Sequence, residues 1–162
     1  MTKFDKRRRR EGKTDYAKRI KLLKSESPRI VFRKTNRYLI AQYIKSKEAN
    51  DKAEFGVDSR VLLDYGWPEK AKGSLKSVTA AYLLGSLVGK KITNKKKLPI
   101  IDFGMIRTAH KSRTYAFIKG LTDSGIKVKT KDGIFPEENR IRGEHLKNKV
   151  PFEEIKSKIM KL

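Results

Sequence analysis

Between residues 29 and 58 apolar and polar positions alternate with the period of two that a half-buried strand requires. In Arg29–Lys34, Ile30 and Phe32 share one face while Val31 and Arg33 share the other. Over residues 38–44, Leu39, Ala41 and Tyr43 point one way and Tyr38, Ile40, Gln42 and Ile44 the opposite way. Residues 52–58 repeat the alternation, with Ala53, Phe55 and Val57 expected inward and Lys52, Glu54 and Asp58 outward. The corner Lys34-Thr35-Asn36-Arg37 contains Asn, which tolerates left-handed backbone, and Thr, which hydrogen-bonds locally, so a hairpin is predicted there. Three adjoining antiparallel strands are the economical arrangement.

The period then changes. Residues 59–73 read as a connection whose turn chemistry is Asp64-Tyr65-Gly66-Trp67-Pro68, with Trp67 expected as a packing anchor rather than a base-stacking platform. Ser74 is the predicted N-cap of a helix over 75–89 that is apolar nearly all round and therefore central and buried. Gly85 and Gly89 on it would let another backbone come close. The run LPIIDF, residues 98–103, suits a strand covered on both faces, and strand-helix-strand implies a right-handed crossover into the same sheet. Residues 112–124 form a second helix, with Ser112 as cap, Tyr115, Phe117, Ile118 and Leu121 apolar, and Gly125 as its stop. A short strand is expected at 126–130. In the closing helix at 151–162, Glu153 and Glu154 near the start and Lys156, Lys158 and Lys161 toward the end complement the helix dipole. The predicted fold class is α/β, a mixed sheet in β-β-β-α-β-α order with helices packed on it. Three divisions follow: a basic arm at 1–24, a globular domain at 25–135, and a polar C-terminal extension at 136–162.

Charge changes the picture. Lys plus Arg number 41 against 18 Asp plus Glu, a net +23 over 162 residues. Self-repulsion of that size calls for a polyanionic partner, with nucleic acid the leading candidate. A membrane surface would need a basic amphipathic helix with a bulky apolar face or a lipidation site. Position 2 is Thr rather than Gly, and with no cysteine there is nothing to acylate. No secretory leader is recognisable, so a cytoplasmic protein is expected. The arm carries the run Arg7-Arg8-Arg9-Arg10 and few apolar residues, so it should be flexible or loosely helical until it meets a polyanion. Tyr16, Ile20 and Leu23 nonetheless share one helical side. At the hairpin corner Arg33, Lys34 and Arg37 fall within five residues. Forks and ammonium groups on a rigid tip suit phosphate oxygens, the alternative being a merely solvated turn.

Enzymatic chemistry is sparse. The absence of cysteine removes thiolate nucleophiles and cysteine-ligated zinc, and His110 and His145 are too isolated for a metal site. Gly85-x-x-x-Gly89-Lys90-Lys91 is too short for a phosphate-binding loop and lacks its Ser or Thr. A nuclease is the remaining catalytic alternative, with Glu54, Asp58 and Asp102 clustering around Mg2+. Against it, an acid inside a strand, as at Asp102, is equally suited to capping or pairing. Neither a cofactor nor a small-molecule substrate is implied.

Seven segments in order carry a resemblance: RRRREGKTDYAKR, RIVFRKTNRYLIAQYI, SRVLLDYGW, TAAYLLGSLVGKK, IIDFG, SRTYAFIKGLTDSGI and FPEENRIRGEHL. Together, over residues 6–146, the chain resembles the archaeal and eukaryotic branch of the family of ribosomal protein eighteen of the large subunit. The resemblance implies binding of 5S ribosomal RNA in the central protuberance, beside ribosomal protein five and large-subunit ribosomal RNA. The implied 5S contacts are Arg7, Arg8, Arg9, Arg10, Lys13, Thr14, Tyr16 and Arg19 in the arm, and Arg33, Lys34, Thr35, Asn36 and Arg37 in the hairpin. Arg140, Arg142 and His145 match the family's tail and are implied to touch RNA as well. The basic linker at 93–97, with Lys95, Lys96 and Lys97, departs from the family, and its contacts are not inherited. A general basic nucleic-acid-binding protein, for instance one compacting DNA, is the other reading.

Overall fold

The computed structural model describes residues 4–47, 50–92, 98–128, 130 and 133–162. The strands expected from the alternation are present as β1 (Arg29–Lys34), β2 (Leu39–Lys47) and β3 (Asn50–Asp58), joined by β4 (Ile100–Asp102). They make a mixed sheet in the order β3-β2-β1-β4, in which β4 runs parallel to β1 and the other pairs are antiparallel. The helices are α1 (Arg7–Arg10), α2 (Tyr16–Lys24), α3 (Val78–Lys91), α4 (Arg113–Asp123), α5 (Glu138–Arg142) and α6 (Phe152–Met160). None of the helices is long and apolar enough to cross a membrane, among the described residues.

One sheet face, built from Ile30, Phe32, Leu39, Ala41, Tyr43 and Val57, belongs to the main core with α3 and α4. Phe32 meets the Phe117 ring at 4.6 Å between centroids. Helix α3 is the expected central helix, buried from Val78 to Gly89. Its cap is Ser77, whose side chain accepts from Ala80 N, and not Ser74. Ser74 instead ends the 3-10 turn Glu69–Ser74, its hydroxyl donating to Ala71 O. Trp67 is 2% exposed and donates from Nε1 to Ala71 O, the anchor expected of it. Ile141, Phe152, Ile155 and Ile159 of α5 and α6 also enter the core, and the Phe152 ring lies against Tyr82.

Close approach of α3 and α4 depends on absent side chains. A Cβ on Gly85 would lie 2.2 Å from Phe117 O, and one on Gly120 would lie 2.1 Å from Tyr82 O. Dispersion contacts between the two backbones replace those that larger side chains would make at a greater separation. Gly125, at φ +92°, ends the α4 segment as expected.

The opposite sheet face holds charge. Arg29 is 2% exposed. Its Nη2 donates to Asp51 Oδ1 at 2.6 Å and to Ser46 Oγ at 3.0 Å, while Nη1 lies 3.8 Å from Asp102 Oδ2. Asp51 reaches this face because the β2–β3 register shifts between Tyr43, opposite Phe55, and Ile44, opposite Ala53. The extra residue, Glu54, is a β-bulge that turns Ala53 and Asp51 away from the side of Phe55 and Val57. Ala53 is therefore exposed on the outer side rather than inward, a correction to strict alternation. Helix α2 lies across this face, with Arg19 Nη2 donating to Asp51 Oδ2 at 2.9 Å and Lys18 Nζ to Gly104 O at 3.3 Å. Asp15 caps it by accepting from Lys18 N. Ile20, expected on its apolar side, is 53% exposed, whereas Leu22 and Leu23 are partly buried.

Two further expectations change. The LPIIDF run is not covered on both faces: β4 is an edge strand, Ile100 and Ile101 are partly buried and Leu98 is 52% exposed. Residues 126–128 and 130 are not in a strand, although Ile126 is buried. The linker at 93–97 lies outside the described residues.

Burial raises the Asp51 pKa, but hydrogen bonds from Ser46, Arg29 and Arg19 outweigh it and hold the carboxyl below its ordinary 3.8. Its stabilising contribution is complete above that value and is lost as pH falls through the lowered one. In urea denaturation, Asp51→Ala is expected to cost about 3 kcal/mol by leaving the buried Arg29 charge short of a partner. The exposed Lys45–Glu54 pair gives the contrast, and Glu54→Ala there should cost less than about 1 kcal/mol. Gly120→Ala should cost at least about 2 kcal/mol through overpacking, although Ala is the better helix former by about 1 kcal/mol. At Gly73 a Cβ would meet nothing within 4 Å, so Gly73→Ala should stay within about 0.5 kcal/mol.

Candidate nucleic-acid interface

Because α2 is tied to the outer sheet face, it brings arm residues beside the end of β1. A cleft of about 330 Å³ results, lined by Arg8, Lys13, Thr14, Tyr16, Arg19 and Arg33 among others. Six of the residues expected at the RNA surface, drawn from arm and hairpin strand, thus face one cavity. Arg8 Nε donates to Thr14 Oγ1 at 3.0 Å, which folds the segment between α1 and α2 back on itself. Arg7 and Arg9 make exposed pairs with Glu11 and Asp5, and Lys13 also pairs with Glu11. Such solvated pairs are weak and readily exchanged for phosphate. Tyr16 is partly buried, with Lys6 Nζ 4.8 Å from the centre of its ring. Arg10 is exposed and has neither an ion pair nor a hydrogen bond from its side chain among the described residues.

Arg33 plays a different part from the other cleft cations. Its Nη1 donates to Asp102 O and Phe32 O, each at 2.8 Å, and its Nη2 to Asp102 Oδ2 at 3.2 Å. Asp102 Oδ1 accepts from Gly104 N at 2.7 Å. Gly104 stands at φ +60°, and a Cβ there would come 2.9 Å from the Arg33 guanidinium carbon. The glycine gives room for the left-handed turn and for the guanidinium beside it. Arg33 is therefore a partly exposed cation fixed in direction by β4, already organised before any anion arrives. The alternation placed Arg33 on the outer face, but only the parallel pairing of β4 puts Asp102 next to it.

The hairpin tip divides its work. Thr35 closes the turn: its N donates to Tyr38 O at 2.9 Å, its Oγ1 donates to the same oxygen at 2.8 Å, and it accepts from Tyr38 N. Lys34, Asn36 and Arg37 are exposed. The Lys34 and Arg37 side chains form no hydrogen bond or ion pair among the described residues. Arg140, Arg142 and His145 are exposed too, but α5 packs on α3 in the helical layer, away from the face that carries α2. Arg142 lies 4.0 Å from Glu138 and 3.9 Å from Glu153. The structure does not bring these three residues to the arm cleft.

The three acids of the catalytic alternative are not brought together. Glu54 and Asp58 lie on β3 and Asp102 on β4, at opposite ends of the strand order. Each acid is already engaged, Glu54 by Lys45, Asp58 by Arg60 and Asp102 by Arg33. The Arg60 guanidinium and backbone bonds hold the Asp58 carboxyl below its usual range. Among the described residues there is no group of three side chains suited to a metal ion. Residues that sequence reasoning passed over include Lys18, Leu22, Gly104 and Met105 in the cleft wall. Gly104 within IIDFG was their one local signal.

Comparison with known proteins agrees with the character of this surface. The family model described as "Ribosomal large subunit proteins 60S L5, and 50S L18" matches residues 2–101. Over 141 residues the chain is 45% identical to the large ribosomal subunit protein uL18 of Korarchaeum cryptofilum (strain OPF8), covering 86% of this chain and 70% of that protein. Over 143 residues it is 41% identical to the uL18 protein of Thermofilum pendens (strain DSM 2475 / Hrk 5), covering 88% and 71% respectively. Both relatives are proteins of the large ribosomal subunit. The chain belongs to the archaeal-type uL18 family of large-ribosomal-subunit proteins.

Proposed function

We propose that this chain binds 5S ribosomal RNA and helps attach it to large-subunit ribosomal RNA in the central protuberance, beside ribosomal protein five. The observation that carries this reading is the arm cleft, where Arg8, Lys13, Thr14, Tyr16 and Arg19 meet Arg33 on a chain of net charge +23. The arm, residues 1–24, is the principal RNA-binding division, with Arg7, Arg9 and Arg10 flanking the cleft. At the hairpin Lys34, Asn36 and Arg37 face the RNA, while Thr35 shapes the turn that presents them. The globular domain at 25–135 is the scaffold. Arg140, Arg142 and His145, in the extension at 136–162, meet a different stretch of RNA, since they lie in the helical layer.

Phosphate contacts from the arm and hairpin supply affinity and register, whereas Tyr16 and Asn36 are the side chains suited to unstacked bases. Every phosphate neutralised releases counterions, so binding weakens steeply with salt. The competing reading, a general basic nucleic-acid binder, rests on the same charge but requires no discrimination among partners. Competition binding of the full chain on labelled 5S ribosomal RNA separates the two. Transfer RNA and duplex DNA serve as competitors at about 0.15 M salt. Retention of 5S RNA against large excesses of both is the expected result, and equal competition by all three would overturn the proposal. Replacing Arg7, Arg8, Arg9 and Arg10 together by Ala should weaken 5S binding at least about tenfold.

A further inference from the structure

The hairpin tip also leans on a second part of the chain. Lys76 Nζ donates to Asn36 O at 2.9 Å, which brings the tip against the 3-10 turn Glu69–Ser74 and the loop after it. Between them is a cleft of about 340 Å³ lined by Asn36, Arg37, Tyr38, Lys72, Gly73 and Lys76. Three of its lining side chains are cations and none is an acid. Arg37 and Lys72 have no side-chain hydrogen bond or ion pair among the described residues. The nearby acid Asp58 is held by Arg60, whose guanidinium also covers the ring of Tyr38 at 5.1 Å from its centre.

Like charges gathered in a concave site, with no counter-charge in its wall, raise one another's energy until an anion enters. The chemistry is that of a phosphate grip: one planar fork and two point charges. Its one aromatic ring, Tyr38, is half-buried and already carries a cation on its face, so the three cations are the groups offered to an incoming ligand. We propose that Arg37, Lys72 and Lys76 form a second binding site for the RNA phosphate backbone, one that adds affinity without discriminating among sequences. This deepens, and rests on, the reading of the chain as an RNA-binding ribosomal protein. It assigns Lys72 and Lys76, which lie outside the arm and hairpin, to the interface.

The test is equilibrium binding of the full chain to labelled 5S ribosomal RNA and to transfer RNA, over about 0.05 to 0.4 M salt. Wild type is compared with Lys72→Ala, Lys72→Glu and the double variant Lys72→Ala/Lys76→Ala. The Lys72 side chain makes no hydrogen bond or ion pair among the described residues, so its single variants should melt at the wild-type temperature, which keeps the experiment interpretable if loss of the Lys76–Asn36 bond disturbs the hairpin. Each lost contact should reduce the slope of log K against log salt by about 0.7 to 0.9. The double variant should bind either RNA about tenfold more weakly at about 0.15 M salt, with the ratio between the two RNAs unchanged. Affinity and slope unchanged in Lys72→Glu would overturn the site. If wild type showed no preference for 5S RNA, the 5S assignment would be lost, but a reduced slope on both RNAs would still uphold the cleft.

Discussion

A guanidinium removed from water sets the terms for the sheet's outer face. Arg29 is 2% exposed, and an unpaired charge in that position would cost far more than the fold can offset. Carboxylates must therefore come to it from strands on both sides, Asp51 from β3 and Asp102 from β4. Asp51 arrives only because Glu54 is an extra residue in its strand. Each carboxylate then takes a second arginine, Arg19 in the case of Asp51 and Arg33 in the case of Asp102. A requirement of burial thus becomes a means of orienting the arm helix and the cleft cation.

The two sides of the molecule serve different ends. Around α3 and α4, bare backbone contact and a continuous apolar core give rigidity without charge. Across the sheet, many of the bonds are ionic, and a charge-bearing arm is held by a few of them. A rigid sheet between these layers keeps the cations in fixed relation, so that little ordering remains to be done at the moment of binding. Thr35 and Arg33 belong to that support by their hydrogen bonds, whereas Lys34 and Arg37 remain available to an anion.

Local periodicity made most of the scaffold legible. The hairpin, the all-round apolar helix, the close approach at Gly85 and the packing role of Trp67 each follow from a few adjacent residues, whereas the matching approach at Gly120 does not. What escaped were properties of pairs distant in sequence. The β3 bulge exists only relative to β2, so counting along the strand put Ala53 on the wrong face. Ser74 and Ser77 are both competent caps, and the 3-10 turn ending at Ser74 decides between them. An apolar run such as LPIIDF does not reveal whether it will lie inside a sheet or at its edge. The charged residues of arm and hairpin could be found from composition and resemblance, but their meeting in one cleft, and the approach of Lys72 and Lys76 to the tip, required the folded chain.

The bulge at Glu54 also bears on the life of the protein before assembly. Strand β3 ends the sheet, and a flat terminal strand is a template for another copy to add to. The extra residue bends and twists that border, and Lys52 and Glu54 stand exposed along it. At the other border, β4 is only three residues long. The irregularity that supplies a partner for a buried arginine therefore also discourages strand-by-strand polymerisation while the chain awaits its place in the subunit.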